Sequence, residues 1–213
     1  MDRKPLQVES SALDPIVQTI TVFGLAAFTV SGVIEARRKD MDVFGSMSVA
    51  FITAIGGGTI RDVLLGRYPL FWIVNQWYSI SIFAGAAAVY YSARFVKLPA
   101  SAILIPDALG LGLFCVTGVN AALAAHTSYF IASLLGVITA IFGGVLRDVI
   151  CNEIPTVFAR TQLYATCALA GAWTCLALDH FHAYAAWSLP AGVVATFALR
   201  MMAIRFDLRL PGG

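Results

Sequence analysis

The chain is 213 residues long, 59% hydrophobic and 12% charged, with a mean hydropathy of +0.81 and a formal net charge of +2. Soluble domains carry about 25% charged residues, so the composition excludes an ordinary soluble fold. The small net charge carries no signal for nucleic acid.

The chain opens on a polar head, residues 1–14, holding Asp2, Glu9 and Asp14 against Arg3 and Lys4. Seven apolar stretches follow, at 16–34, 43–60, 71–93, 103–125, 129–146, 163–178 and 183–199. Each approaches the ~20 residues that cross a hydrocarbon layer of about 30 Å. The first is longer than a signal-peptide core and no small-residue cleavage site follows, so it reads as a span. The links are short, and Tyr68, Trp72, Trp77, Tyr78, Trp173 and Trp187 lie near span ends, where an interfacial aromatic belt belongs. An all-α integral membrane protein of seven transmembrane helices is expected, as a single domain over residues 1–213.

The second and fifth spans carry one motif twice. Residues 52–69 read ITAIGGGTIRDVLLGRYP and residues 138–155 read ITAIFGGVLRDVICNEIP, identical at 10 of 18 positions, 86 residues apart. The same offset pairs Gly24, Phe28 and Gly32 with Gly110, Phe114 and Gly118, and Tyr78 and Gly85 with Tyr164 and Gly171. The repeats are 16–93 and 103–179, and residues 183–204 form an unpaired seventh helix. A three-helix unit ends on the side opposite its start, so two copies lie inverted to one another, the plan of many transport proteins.

Gly56, Gly57, Gly58 and Thr59 fall near mid-span in the first motif, and Gly143 and Gly144 in the second. Each glycine costs a helix roughly 0.5–1 kcal/mol relative to alanine, which predicts a kink or partial unwinding; the alternative is a close helix crossing. Ser31 and Thr117 stand beside Gly32 and Gly118 at matched places and are candidates for a wet centre. Arg61, Asp62, Arg147 and Asp148 are too costly to face lipid, at about 2.5–3.5 kcal/mol each near the bilayer centre. Side chains at i and i+1 point about 100° apart on a helix. Crossing partners are therefore expected, Arg61 with Asp148 or Arg147 with Asp62; arginines snorkelling to headgroups are the alternative. Asp107 has Thr21 as its repeat mate, so that charge is not duplicated, and Glu35 reads as a helix-end residue.

Alternating the spans puts Arg3, Lys4, Arg61 and Arg67 on the N-terminal side and the other 10 basic residues opposite. The N-terminus is then outside and the C-terminus cytoplasmic. Cys115, Cys151, Cys167 and Cys175 read as packing residues, and His126, His180 and His182 as loop residues, so no metal is expected. No nucleophile–base set or phosphate loop is present, so neither an enzyme nor a cofactor is expected.

ITAIGGGTIRDVLLGRYP, GVITAIFGGVLRDVICNEIP, DALGLGLFCVTG and LYATCALAGA resemble the prokaryotic branch of the trimeric intracellular cation (TRIC) channels, long catalogued as uncharacterised membrane proteins with two glycine-motif repeats. The resemblance covers roughly residues 15–210. It implies a multi-pass protein of the cell inner membrane, embedded in the lipid bilayer as a homotrimer. Each protomer would hold one pathway lined by the second and fifth helices, for monovalent cations, potassium foremost and sodium behind it. The chain departs from that pattern at Phe142, which replaces the first glycine of the second motif, and at Thr21, where an acidic residue is usual. A secondary transporter of a small solute such as glycine is the second reading, because inverted repeats with broken helices also build carriers.

Overall fold

The computed structural model describes residues 15–93, 99–159, 163–181 and 185–209. The polar head, residues 94–98 of the link between repeats, and His182 lie outside the described residues. All regular structure described is helical: α1 (Pro15–Arg38), α2 (Val43–Leu64), the single turn α3 (Phe71–Val74), α4 (Gln76–Ser92), α5 (Leu104–Ala124), α6 (Tyr129–Ile150), α7 (Ala165–His180) and α8 (Ala185–Arg205), with a 3₁₀ turn at Ala100–Ile103. Five of these helices are long and apolar enough to cross a membrane, α1, α2, α5 (with residues 101–103), α6 and α8. α4 and α7 are shorter, at 17 and 16 residues.

The expected third span is broken. Asn75 sits between α3 and α4 with extended backbone, and its side chain accepts from the Trp77 amide at 3.1 Å. A side-chain acceptor at this position satisfies an amide that the new helix leaves without a carbonyl.

The offset of 86 residues governs how helices stop. α1 and α5 end at residues with positive φ, Asp40 at 55° and His126 at 56°, and α2 and α6 do the same at Gly66 (64°) and Asn152 (55°). Beyond them the Arg67 and Glu153 amides reach back to the Asp62 and Asp148 carbonyls, both at 2.8 Å. These left-handed caps satisfy carbonyls that the last turn leaves open.

The helices of each half pack around small residues. α2 crosses α6 where a Cβ on Gly57 would overlap the Thr139 carbonyl oxygen and one on Gly143 would overlap that of Thr53. Gly32 lies against the Ala50 backbone, and its counterpart Gly118 against Gly136. Phe28 stacks on Phe114 with ring centroids 5.2 Å apart and joins the two halves through α1 and α5. The larger apolar core, including Leu111, Val116, Val119, Leu135, Tyr164 and Leu176, lies among α5, α6 and α7, and Leu189 and Val193 of α8 pack against it. The Arg37 guanidinium donates to the Tyr90 carbonyl at 3.0 Å, which ties the end of α1 to α4.

Candidate functional site

Neither α2 nor α6 unwinds at its glycines: both are continuous from Val43 to Leu64 and from Tyr129 to Ile150. The expected unwinding is thus corrected. Gly57 and Gly143 remove side-chain bulk where two backbones touch, while Gly56, Gly58 and Gly144 make room for Leu146, Phe71 and Tyr164, and the stability gained by this packing offsets their cost in propensity. Thr53 and Thr139 donate to carbonyls of their own helices, Val49 at 2.7 Å and Leu135 at 2.6 Å. Thr59 instead accepts from the Trp72 indole at 3.1 Å.

The two arginines stand at the C-terminal ends of α2 and α6, and both are buried, at 9% and 2% exposure. Neither makes the expected crossing pair. Arg61 binds Asp62 through Nε at 2.9 Å and Nη2 at 2.8 Å. Arg147 binds Asp148 the same way, at 2.8 and 2.7 Å. Neighbouring side chains diverge at Cβ, but an arginine is long enough to curl sideways and present the edge of its fork. The carboxylate is held still to receive it: Asp62 Oδ2 accepts from the Phe71 amide, and Asp148 Oδ2 from the Thr156 amide, both at 3.0 Å. Each pair therefore also pins the loop that returns from its helix.

Beyond this shared unit the ends differ. Arg147 Nη1 donates to Asp107 Oδ1 at 2.6 Å and also to Ser31 Oγ. Its charge is shared by two carboxylates, both under 10% exposed. Arg61 has Asp62 and the face of Phe71, whose centroid is 5.5 Å from its Cζ. Thr117, the counterpart of Ser31, bonds back to the Phe114 carbonyl at 3.0 Å, and Thr21, the counterpart of Asp107, to that of Val17 at 2.8 Å.

A cavity of about 210 Å³ opens beside Arg147, walled by the ends of α1, α5, α6 and α8. It contains residues that the repeat could not indicate. Glu35 is 3% exposed, with Oε2 on Arg38 at 2.7 Å. Arg200 is 1% exposed, donates to the Leu163 carbonyl at 2.7 Å and covers the Tyr164 ring at 4.9 Å. Asp107, Glu35 and Arg200 have no charged mates at the 86-residue offset; their signal was charge in an apolar context, without duplication to reinforce it. Lys39 and Glu153 form an exposed ion pair beside the cavity. Their hydrogen bond raises the Lys39 amine above its ordinary range and lowers the Glu153 carboxyl below its own. All four cysteines are buried, as packing residues should be.

A family model described as "Glycine transporter" matches the chain twice, at residues 18–94 and 104–180. A UPF0126 membrane protein of Vibrio cholerae is 44% identical over 206 residues, which span 94% of this chain and 84% of that one. The UPF0126 inner membrane protein YadS of Escherichia coli K12 is 36% identical, covering 92% and 95% of the two chains. Among solved structures, a TRIC trimeric intracellular cation channel orthologue from Rhodobacter sphaeroides superposes with a TM-score of 0.87 at 38% identity, over 92% of this chain and all of that one. The chain belongs to the UPF0126/TRIC family. A second solved member, a prokaryotic TRIC channel crystallised in 0.5 M KCl, gives a TM-score of 0.85 at 30% identity, over 92% and 99% of the chains. With relatives named as inner membrane proteins and, among its described residues, five helices long and apolar enough to cross a bilayer, this family member is a multi-pass membrane protein.

Proposed function

We propose that the protein is a monovalent-cation channel, permeable to potassium and sodium, that assembles as a homotrimer with one pathway per protomer. The observation that carries this reading is the likeness, over 92% of the chain, to structures described as TRIC cation channels. The pathway is lined near Gly56, Gly57, Gly58, Thr59, Gly143 and Gly144, with Ser31 and Thr117 facing it from α1 and α5, and the α2–α6 crossing at Gly57 and Gly143, where the backbones touch, is its shut constriction. Arg61–Asp62 and Arg147–Asp148 close its two ends. A bare arginine repels a cation in a poorly hydrated constriction, so in the shut state Arg147 is held by Asp107 and Asp148, and it must swing clear of the path for cations to pass. Release of Arg147 from Asp107 opens that end.

In this reading the protomer has seven spans, α3 and α4 sharing the third. Residues 16–93 and 103–179 are inverted repeats, and α8 is added outside them. The N-terminus is outside and the cavity beside Arg147 faces the cytoplasm, on the side favoured by the excess of basic residues. A carrier for glycine is the second reading, supported by the description of the matching family model. Recording from purified protein in a planar bilayer separates the two. Unitary currents support the channel; saturable glycine counterflow without them supports the carrier.

A further inference from the structure

The hydroxyl of Tyr164 is buried and makes no hydrogen bond. The residue is 5% exposed, just ahead of α7, and the Arg200 guanidinium lies over its ring, 4.9 Å from the centroid. Its hydroxyl stands beside the Arg147–Asp107 ion pair. A Cβ on Gly144 would lie 3.0 Å from Tyr164 Oη and 3.7 Å from both Arg147 Nη2 and Asp107 Oδ1, so the three groups surround one point. Asp107 is the carboxylate that acts on the hydroxyl, but Arg147 Nη1 occupies its Oδ1 at 2.6 Å. A buried hydroxyl left without a partner destabilises the state that contains it.

Opening creates the complementary deficit. When Arg147 leaves Asp107, that carboxylate, 5% exposed, loses its cation while still buried. A buried carboxylate needs a donor, and Tyr164 is one already beside it and otherwise unused. The first half of the chain has no such exchange. Tyr78, the counterpart of Tyr164, packs on Phe71 with centroids 5.8 Å apart. Thr21, the counterpart of Asp107, bonds back to the Val17 carbonyl of its own helix.

We propose that Tyr164 is a positioning residue for opening, and that its hydroxyl takes over Asp107 as Arg147 leaves. One move then satisfies both the orphaned hydroxyl and the deserted carboxylate, which stabilises the open state relative to the shut one. The handover rests on the channel reading for its role, but it is tested first without current. Equilibrium unfolding of the full-length protein in mixed micelles compares Tyr164→Phe in two backgrounds. In the parent the variant should leave the unfolding constant unchanged or lower it, because the hydroxyl it removes is unpaired. One hydroxyl does not replace a guanidinium, so Arg147→Gln still lowers stability. In that background Tyr164→Phe should raise the unfolding constant about tenfold or more, the worth of one hydrogen bond to a charged group. Arg147→Lys, which keeps the charge but not the fork that spans both aspartates, takes its place if the glutamine variant does not fold. Equal effects of Tyr164→Phe in the two backgrounds overturn the handover. In planar bilayers Tyr164→Phe should lower open probability about tenfold or more, a larger change than in unitary conductance, and an unaltered open probability also overturns it. A parent without unitary current removes the channel reading, and the unfolding comparison still decides the handover. Normal currents with equal effects in the two backgrounds remove the handover and spare the channel.

Discussion

Arg147→Gln should be far more damaging than Arg61→Gln, although the two arginines occupy equivalent places in the repeated motif. Arg147 is 2% exposed and neutralises both Asp107 and Asp148, which are themselves buried, at 5% and 6% exposure. Its removal strands Asp107 and leaves Asp148 only its Thr156 donors, and breaking a buried ion pair from one side costs about 3–5 kcal/mol. Arg61 serves a single carboxylate whose second oxygen keeps the Phe71 amide. Its loss is closer to that of one charged hydrogen bond, about 1.5–3 kcal/mol. Equilibrium unfolding in mixed detergent micelles, followed by near-UV circular dichroism, measures the difference. The second half of the test is rescue. Asp107→Asn added to Arg147→Gln removes one stranded charge and should recover at least about 1 kcal/mol, whereas Asp107→Asn alone should destabilise. If the two arginine variants lose equal stability, or if the double variant is the sum of the singles, the charge-sharing account of this end is wrong.

Gly57→Ala and Gly143→Ala force a methyl onto a carbonyl oxygen of the opposing helix and should each cost at least the ~1–3 kcal/mol of an overpacked core. Gly85→Ala, whose methyl would meet only Thr29 Cγ2 at 3.8 Å, should be nearly neutral in the same unfolding assay. Arg200→Lys loses the planar fork that both covers Tyr164 and reaches the Leu163 carbonyl, and it should free the start of α7, seen as faster amide exchange there. The Lys39–Glu153 pair contributes stability that is constant through neutral pH. Because Glu153 is lowered in the folded state, its share is present above the ordinary carboxylate range and is lost as pH falls through the lowered value. Because Lys39 is raised, its share is present below the ordinary amine range and is lost as pH rises through the raised value. Glu153→Gln should flatten both limbs of the stability–pH curve at low salt.

The parts of this structure legible in the sequence are those written twice or governed by hydropathy. The helices α1, α2, α5, α6, α7 and α8 match apolar runs to within a few residues, because lipid demands such runs. Asn75 was not legible as a break, since one polar residue in an aromatic-rich run is ordinary at a membrane interface. The glycines marked the meeting of α2 and α6 but not its form: a bare backbone permits an unwound turn and a close crossing equally, and the Thr53 and Thr139 carbonyls select the crossing. The Arg–Asp pairing was misjudged because spacing fixes where Cβ atoms point, not how far a four-atom stem bends. Asp107, Glu35 and Arg200 needed the tertiary fold, because they meet only where α1, α5, α6 and α8 end together.

The most direct test of the central claim is a reversal-potential measurement on the purified protein in a planar bilayer under a KCl gradient. A cation channel predicts unitary currents that reverse near the potassium equilibrium potential and persist when chloride is replaced by gluconate. Reversal near the chloride potential, or no unitary current from protein that still exchanges glycine in vesicles, would contradict it.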